Sequence, residues 1–300
     1  MDYGKPILKD KGTIDFSPDA NLSGNSEILP GKAVAHPKVY VGCSHWGRKE
    51  WVGSLYPPAT AEKDFLSLYT RRYNSIELNA THYKIYDELT INKWLSATGH
   101  SNFLFCPKMF KGISHFGSLA GKEEITKEFL HSLSFFKDHL GPLFIQLSEK
   151  FGPERKEELF KFLETLPRNT HQFFLELRHP GWYSDIESFA DTCARLKKLK
   201  IGFVITDTEA HRDIIHMTLT VPKAFVRLQL NGSDGSDYQR MDSWAEIIKT
   251  WLHHGLEELY FFIHVHDESC SPAAMAYMTE KLNSECGLDL QVPQLLKTLF

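Results

Sequence analysis

The sequence predicts an α/β protein built as a single (βα)8 barrel of the TIM type, with an irregular N-terminal extension over residues 1–38 and the barrel over 39–300. Three observations lead there. Eight short apolar runs bounded by turn residues read as buried strands. Helical periodicities lie between them, and no long polar linker divides the chain after residue 38. Alternating strands and helices imply a parallel sheet, and eight is the number that closes a barrel. An open doubly wound sheet is the alternative, but the glycine fingerprint expected after its first strand is missing.

Residues 1–38 come first. Gly4, Pro6, Gly12, Pro18, Gly24, Pro30, Gly31 and Pro37 punctuate them too densely for regular structure, so they are expected either to drape over the barrel or to stay partly disordered. The strands follow as VYVGCSHW (39–46), SIELNATHY (75–83), FLFCPKMF (103–110) and PLFIQLS (142–148), then FFLELRH (173–179), IGFVITDT (201–208), AFVRLQLNG (224–232) and LYFFIHVH (259–266). Helices are expected over 61–73, 123–140, 155–166, 186–199, 244–254 and 272–286, where apolar residues recur at helical spacing. The stretch 209–221 after strand six is short and poorly periodic.

Composition narrows the function. With 42 % hydrophobic and 24 % charged residues among 300, the chain buries a full core, which excludes a disordered or fibrous protein. A net charge of -4 argues against a nonspecific nucleic-acid binder. No run of about 18 apolar residues spans a bilayer, and the N-terminus does not read as a signal peptide. Five scattered cysteines without a CxxC pair read as reduced thiols of a cytoplasmic protein and exclude a zinc ribbon. No oligomeric state is assigned from the sequence.

Side chains alternate faces along a strand. The apolar sets should face the helices, which sends the polar sets inward. That reasoning places Ser44, Glu77, Asn79, Lys108, Gln146, Glu176, Arg178, Asp207, Arg227, Gln229, Asn231, His264 and His266 in the lumen or at its upper rim. Barrel interiors are ordinarily filled by branched aliphatics, and unpaired buried ions are costly. The charges must therefore pair with one another, with water or with a ligand. A purely structural network of Glu77, Glu176 and Asp207 against Lys108, Arg178 and Arg227 balances three to three and is the bland alternative.

Two arginines and a lysine converging on a cavity suit a carboxylate or phosphate. Glu77 or Glu176 beside them could serve as a general base. A divalent metal held by His264 and His266 is the competing chemistry, although HxH on a strand is a loose motif. Trp46, Trp51, Tyr56, Tyr83, Trp182 and Tyr183 sit in loops after strands one, two and five. They either stack on a ligand or form a hydrophobic lid.

The runs VGCSHWGRKEWVGSLYPP (41–58), SIELNATHYKIY (75–86), FLFCPKMFKGISH (103–115), PLFIQLSEKF (142–151) and FFLELRHPGWY (173–183) resemble the YecE-like family, domain of unknown function 72. The likeness continues more weakly through ITDT (205–208) and FVRLQLNG (225–232), and covers roughly residues 39–270. It implies a TIM-type barrel and a shared site, with no established reaction. The family's recurrent polar residues fall on Ser44, Trp46, Glu77, Asn79, Tyr83, Lys108, His115, Gln146, Glu176, Arg178, His179, Trp182, Asp207 and Arg227. His45 stands where the family commonly has glycine, and His264 and His266 where it often has asparagine.

The expectation is therefore a metal-independent enzyme working by acid/base chemistry on a small anionic ligand, phosphorylated or carboxylated. Glu77, Glu176, His115, His179 and Asp207 form its catalytic set. Ser44, Trp46, Asn79, Tyr83, Lys108, Gln146, Arg178, Trp182 and Arg227 bind the substrate. No cofactor is predicted. A metal-assisted hydrolase or isomerase is the first alternative, and a non-catalytic barrel binding a ligand or single-stranded nucleic acid the second.

Overall fold

The computed structural model describes residues 25–99, 102–232 and 235–296. Its eight strands are β1 (Lys38–Cys43), β2 (Ser75–Leu78), β3 (Leu104–Pro107), β4 (Leu143–Gln146), β5 (Phe173–Glu176), β6 (Gly202–Asp207), β7 (Lys223–Leu230) and β8 (Glu258–Val265). Six form one parallel sheet in the order β1-β8-β7-β6-β5-β4, so the first strand lies beside the last; β2 and β3 form a second parallel pair. The fold is TIM-barrel-like.

The two sheets meet at irregular seams. Isolated parallel bridges, Phe105 with Leu140 and Lys108 with Phe144, join β3 to β4. Between β1 and β2, side chains stand in for a ladder. The Asn74 amide accepts the Val41 N–H at 2.8 Å and donates to the Val39 carbonyl at 2.8 Å. The Tyr69 hydroxyl accepts the Cys43 N–H at 2.7 Å and donates to the Ser75 carbonyl at 3.2 Å. Gly42 permits this approach, because a Cβ there would lie 2.0 Å from the Ser75 carbonyl oxygen.

The helices are α1 (Phe65–Tyr69), α2 (Ala80–Tyr83), α3 (Glu88–Thr98), α4 (Lys111–Ser114), α5 (Glu123–Ser134), α6 (Lys156–Thr165), α7 (Ile186–Leu199), α8 (Gly235–His253) and α9 (Ser271–Cys286). Periodicity located α7 to the residue; Asp185 caps it by accepting the Glu187 N–H, and Lys200 ends it in the left-handed region. Apolar spacing missed α3 and started α8 nine residues late. The first half of α8 buries Asp237 and Arg240, so its inner face is not apolar. Strand six is followed only by the short 3-10 turn Arg212–Ile214.

Residues 25–37 contain turns and bends but no helix or strand, and they pack across the end where the strands begin. Asn25 donates to the Met217 carbonyl and accepts the Leu219 N–H, while Leu29 is buried in the main core. Residues 1–24 of the expected extension lie outside the described residues. Among the described residues no helix is long and apolar enough to cross a membrane.

The strand alternation divides the interior as expected. Val41, Ile76, Leu143, Ile145, Leu175, Val226, Leu228, Phe261 and Ile263 face outward into the main core. Inward, Cys106, Phe144, Phe174, Val204, Phe225, Tyr260 and Phe262 make a second cluster. Phe225 sits at its centre, with ring centroids 5.2 Å from Phe144, 5.4 Å from Phe174 and 5.2 Å from Phe262. This aromatic plug fills the lower lumen, so the polar layer above it opens toward the C-terminal ends of the strands. Sites in this fold form at that end.

Candidate functional site

Two residues beyond the plug along the strands, the inward side chains become polar or charged. Arg227 on β7 is 0 % exposed and reaches across the lumen. Its guanidinium grips Glu77 on β2 with two bonds, 2.8 Å from Nε and 2.9 Å from an Nη. Its other Nη donates to Glu176 on β5 at 2.6 Å. Glu176 accepts the Gln146 amide at 2.7 Å, and Gln146 in turn accepts from the Lys108 ammonium at 2.5 Å. Arg178 lies 3.9 Å from Glu176 and donates to the rim residue Glu149 at 3.0 Å. Asn79 donates to Glu77 at 2.8 Å, and His264 Nε2 lies 2.9 Å from the same carboxylate.

Electrostatics follows from this geometry. Burial alone would raise Glu77, but the Arg227 guanidinium and His264 outweigh it and hold the carboxyl well below its usual range. Glu176 is also lowered: burial again opposes, and Arg227, Arg178 and Lys108 prevail. Lys108 is pushed down to about 7, chiefly by burial and then by Arg227. Neither glutamate is placed to act as the free base the sequence suggested, because each is an ionised acceptor shared among several donors.

Above this layer a cleft of about 310 Å³ is lined by Ser44, His45, Arg48, Asn79, Tyr83, Gln229, His264, Val265, His266 and Glu268. His264 links the two levels, since it touches Glu77 below and faces the cleft above. Ser44 Oγ lies 2.8 Å from His45 Nδ1, and Arg48 pairs with Glu268 at 3.3 Å. Tyr83 is 59 % exposed at the rim, with the Lys111 ammonium 5.2 Å above its ring. His115 and His82 meet edge to face at 4.6 Å. Burial, then Lys108, lowers His115 to about 4 and His82 to about 3, so both are neutral bases at pH 7.

The structure thus brings Ser44, Glu77, Asn79, Tyr83, Lys108, Gln146, Glu176, Arg178, Arg227 and His264 together, with His115 beside them. It places four others elsewhere. Asp207 is not in the lumen. It shares the outward face of β6 with Phe203 and Ile205 and is buried beneath α8, where Arg240 donates to it at 2.7 Å and the Trp244 indole at 2.8 Å. Arg212 also pairs with it. Trp46 packs edge-on against Trp94 at 5.5 Å and Phe105 at 6.5 Å. Trp182 is buried, stacks on Phe151 and donates to the Phe151 carbonyl at 2.8 Å. His179 accepts the Gly181 N–H at 3.0 Å, which shapes the turn that carries Trp182. Trp182, Trp51 and Tyr56 are buried in the main core and Trp46 packs against it, while Tyr83 is the rim aromatic.

The metal alternative meets a donor set that does not converge. His264 Nε2 is engaged with Glu77, and His266 is exposed. Among the described residues no group of three or more His, Cys, Asp or Glu side chains is arranged to hold a metal ion.

His82, His45, Arg48, Glu149 and Glu268 were not among the residues selected by sequence. The run 75–83 reads as one strand in the sequence, but the chain turns into α2 after Asn79, so His82 obeys a different period. His45, Arg48 and Glu149 sit on loops and Glu268 opens a short 3-10 turn (Glu268–Cys270), where no strand period applies. Their signal was local: polar side chains within a few residues of a strand's C-terminal end.

A family model described as "Protein of unknown function DUF72" matches residues 40–295. UPF0759 protein YecE of Escherichia coli K12 is 26 % identical over 279 residues, covering 85 % of this chain and 98 % of that protein. Among solved structures, a DUF72 family protein from Enterococcus faecalis V583 aligns with a TM-score of 0.66 at 18 % identity, over 83 % of this chain and 99 % of that one. Another, from Thermotoga maritima MSB8, aligns with a TM-score of 0.61 at 20 % identity, over 84 % of this chain and 100 % of that one.

Proposed function

The chain belongs to the DUF72 family, and on that premise we propose that it is an enzyme that moves a proton on a small anionic substrate, using its own side chains. We read the fold as a complete (βα)8 barrel whose β1–β2 seam is spanned by Tyr69 and Asn74. The protein is assigned to the cytoplasm, in keeping with five unpaired cysteines.

The observation that carries the reading is the make-up of the lumen once Asp207 is outside it. Two fixed cations, Arg178 and Arg227, and Lys108, pushed down to about 7 and so only partly charged at neutral pH, face two carboxylates, Glu77 and Glu176. Glu149 reaches Arg178 only from the exposed rim. An anion in the cleft meets Arg48 at the wall, which it would share with Glu268. His264 is the proton carrier. Glu77 orients its ring from below, as a buried carboxylate orients an imidazole in hydrolytic triads. His115, neutral and close to Lys108, is the second base on the opposite side of the mouth.

The test is a thermal-shift screen of phosphorylated and carboxylated metabolites, followed by mass-spectrometric detection of turnover. An anionic ligand should stabilise the wild type and be converted by it. His264→Gln should retain binding and lose conversion. Conversion at the wild-type rate by His264→Gln would refute the assignment of the proton carrier. Stabilisation by neutral metabolites alone would refute the anionic substrate.

A further inference from the structure

We propose that a second anion site lies at the opposite end of the barrel from the cleft, where the strands begin, and that it takes a small molecule bearing a phosphate group. This site stands apart from the cleft and from the reaction assigned there.

Strands β5, β6 and β7 are neighbours in the sheet, so the segments that lead into them lie side by side. Together with Ile28 they enclose a cavity of about 550 Å³. Its basic lining residues are Arg168 and His171 before β5, Lys197 and Lys200 before β6, and Lys223 at the start of β7, and no acidic residue lines it. The chain as a whole carries a charge of -4, so this concentration of base is local. Two of the cations have partners: Lys197 pairs with the exposed Glu27 at 3.0 Å, and Lys223 with Glu258 at 3.0 Å. The other two do not. Arg168 donates to the Leu163 carbonyl at 2.9 Å, Lys200 is exposed, and among the described residues no carboxylate pairs with either. Like charges gathered in one concavity repel, and a multivalent anion relieves that repulsion.

The backbone supplies an independent observation. Lys200 has φ 55° and ψ 38°, in the left-handed region. Its N–H donates to the Lys197 carbonyl at 3.0 Å, and the Ile201 N–H donates to the Leu196 carbonyl at 3.1 Å. Glycine is the residue that closes this helix-ending turn without strain, so a lysine here gives up some backbone stability. The dipole of α7 favours cations at its end, but Lys197 and Lys198 already occupy the last turn. Nor does that dipole account for Arg168, His171 and Lys223, which come from other segments. Guanidinium and ammonium groups arriving from three segments suit a phosphate ester, which accepts through three oxygens and carries about two charges at neutral pH. Ile28, Val221 and Pro222 supply an apolar wall for the carbon part of such a ligand, and the cavity has the size of a small-molecule site.

The test is lysine footprinting of the full-length protein: brief acetylation, read residue by residue by mass spectrometry, with glycerol 3-phosphate titrated at constant ionic strength. The ester should protect Lys200 and Lys223, while the exposed Lys198 on the same helix end stays reactive. Arg168→Gln should raise the concentration that half-protects Lys223 about tenfold, the worth of one charge-assisted hydrogen bond. Arg48→Gln, at the wall of the cleft, should leave it unchanged. Lys200→Gly should raise it about tenfold as well, and should unfold at a higher urea concentration without ligand, because glycine relieves the left-handed turn. Protection of Lys198 equal to that of Lys200 would show diffuse screening and overturn the site. Protection lost in Arg48→Gln, or absent in the wild type, would overturn it too. A Lys200→Gly protein that is less stable than the wild type and binds the ester as well would show that the lysine serves the fold instead.

Discussion

Replacing Arg227 with methionine tests the centre of the lumen. In the wild type its guanidinium makes three hydrogen bonds of 2.6–2.9 Å to Glu77 and Glu176, both essentially inaccessible to water. Methionine fills much of the same volume, so the main loss is the charge. Removing one partner of a buried pair costs ~3–5 kcal/mol, and here one cation serves two carboxylates, which argues for the upper end. The pH dependence gives the sharper signature. In the variant, burial no longer meets the guanidinium, so both carboxyls rise above their ordinary range. The folded state then binds more protons than the unfolded chain, and stability falls as pH rises. The wild-type glutamates are held low, so their contribution persists until pH drops below the ordinary value of about 4.3. The deficit should therefore be largest at pH 8 and shrink at pH 5.5. Urea unfolding followed by tryptophan fluorescence measures it. Adding Glu77→Gln to Arg227→Met should recover part of the loss by removing one stranded charge. A deficit under ~1 kcal/mol, or one as large at pH 5.5 as at pH 8, would refute the reasoning.

Lys108 titrates near 7 in the folded protein and about 10.4 when unfolded. Between those values the unfolded chain binds the extra proton, so the wild type should gain stability over Lys108→Met as pH rises from 7 to 9.5; a constant gap in urea midpoints would contradict this. Asp207→Asn should cost ~1–3 kcal/mol by removing the carboxylate nearest Arg240, with Glu209 and Asp237 still 3.7 and 3.8 Å away, yet leave anion binding in the lumen unchanged when measured by titration. Tyr69→Phe should strand the buried Cys43 N–H at ~1–3 kcal/mol, seen as faster hydrogen exchange along β1. Gly42→Ala should prevent stable folding at the same seam, read by circular dichroism, since its Cβ would lie 2.0 Å from a carbonyl oxygen.

Much of this architecture was legible in the chain before any coordinates. A strand with one apolar and one polar face can be oriented by eye. For β2, β4, β5, β7 and β8 that alternation put Glu77, Gln146, Glu176, Arg227 and His264 inside, where they are. It could not orient β6. Every residue of Gly202–Asp207 is buried, and its two faces are nearly equally apolar, so nothing in the run IGFVITDT tells which way Asp207 points. The loop aromatics were equally opaque. Trp46 and Trp182 have the composition of a stacking platform, but their partners, Trp94 and Phe151, come from segments with which they share no period.

What the sequence determined by itself was the number of strands, the face each two-sided strand buries and hence a polar upper lumen. Tertiary structure alone decided which charges meet. Glu77 and Arg227 are 150 residues apart, and only the order of strands around the lumen sets them opposite each other. The same packing moved Asp207 under α8 and set His264 between a locked carboxylate and the cleft. Local pattern reports a side chain's direction relative to its own strand. Partnership depends on the distance across the lumen, which is a property of the tertiary arrangement and of no single segment.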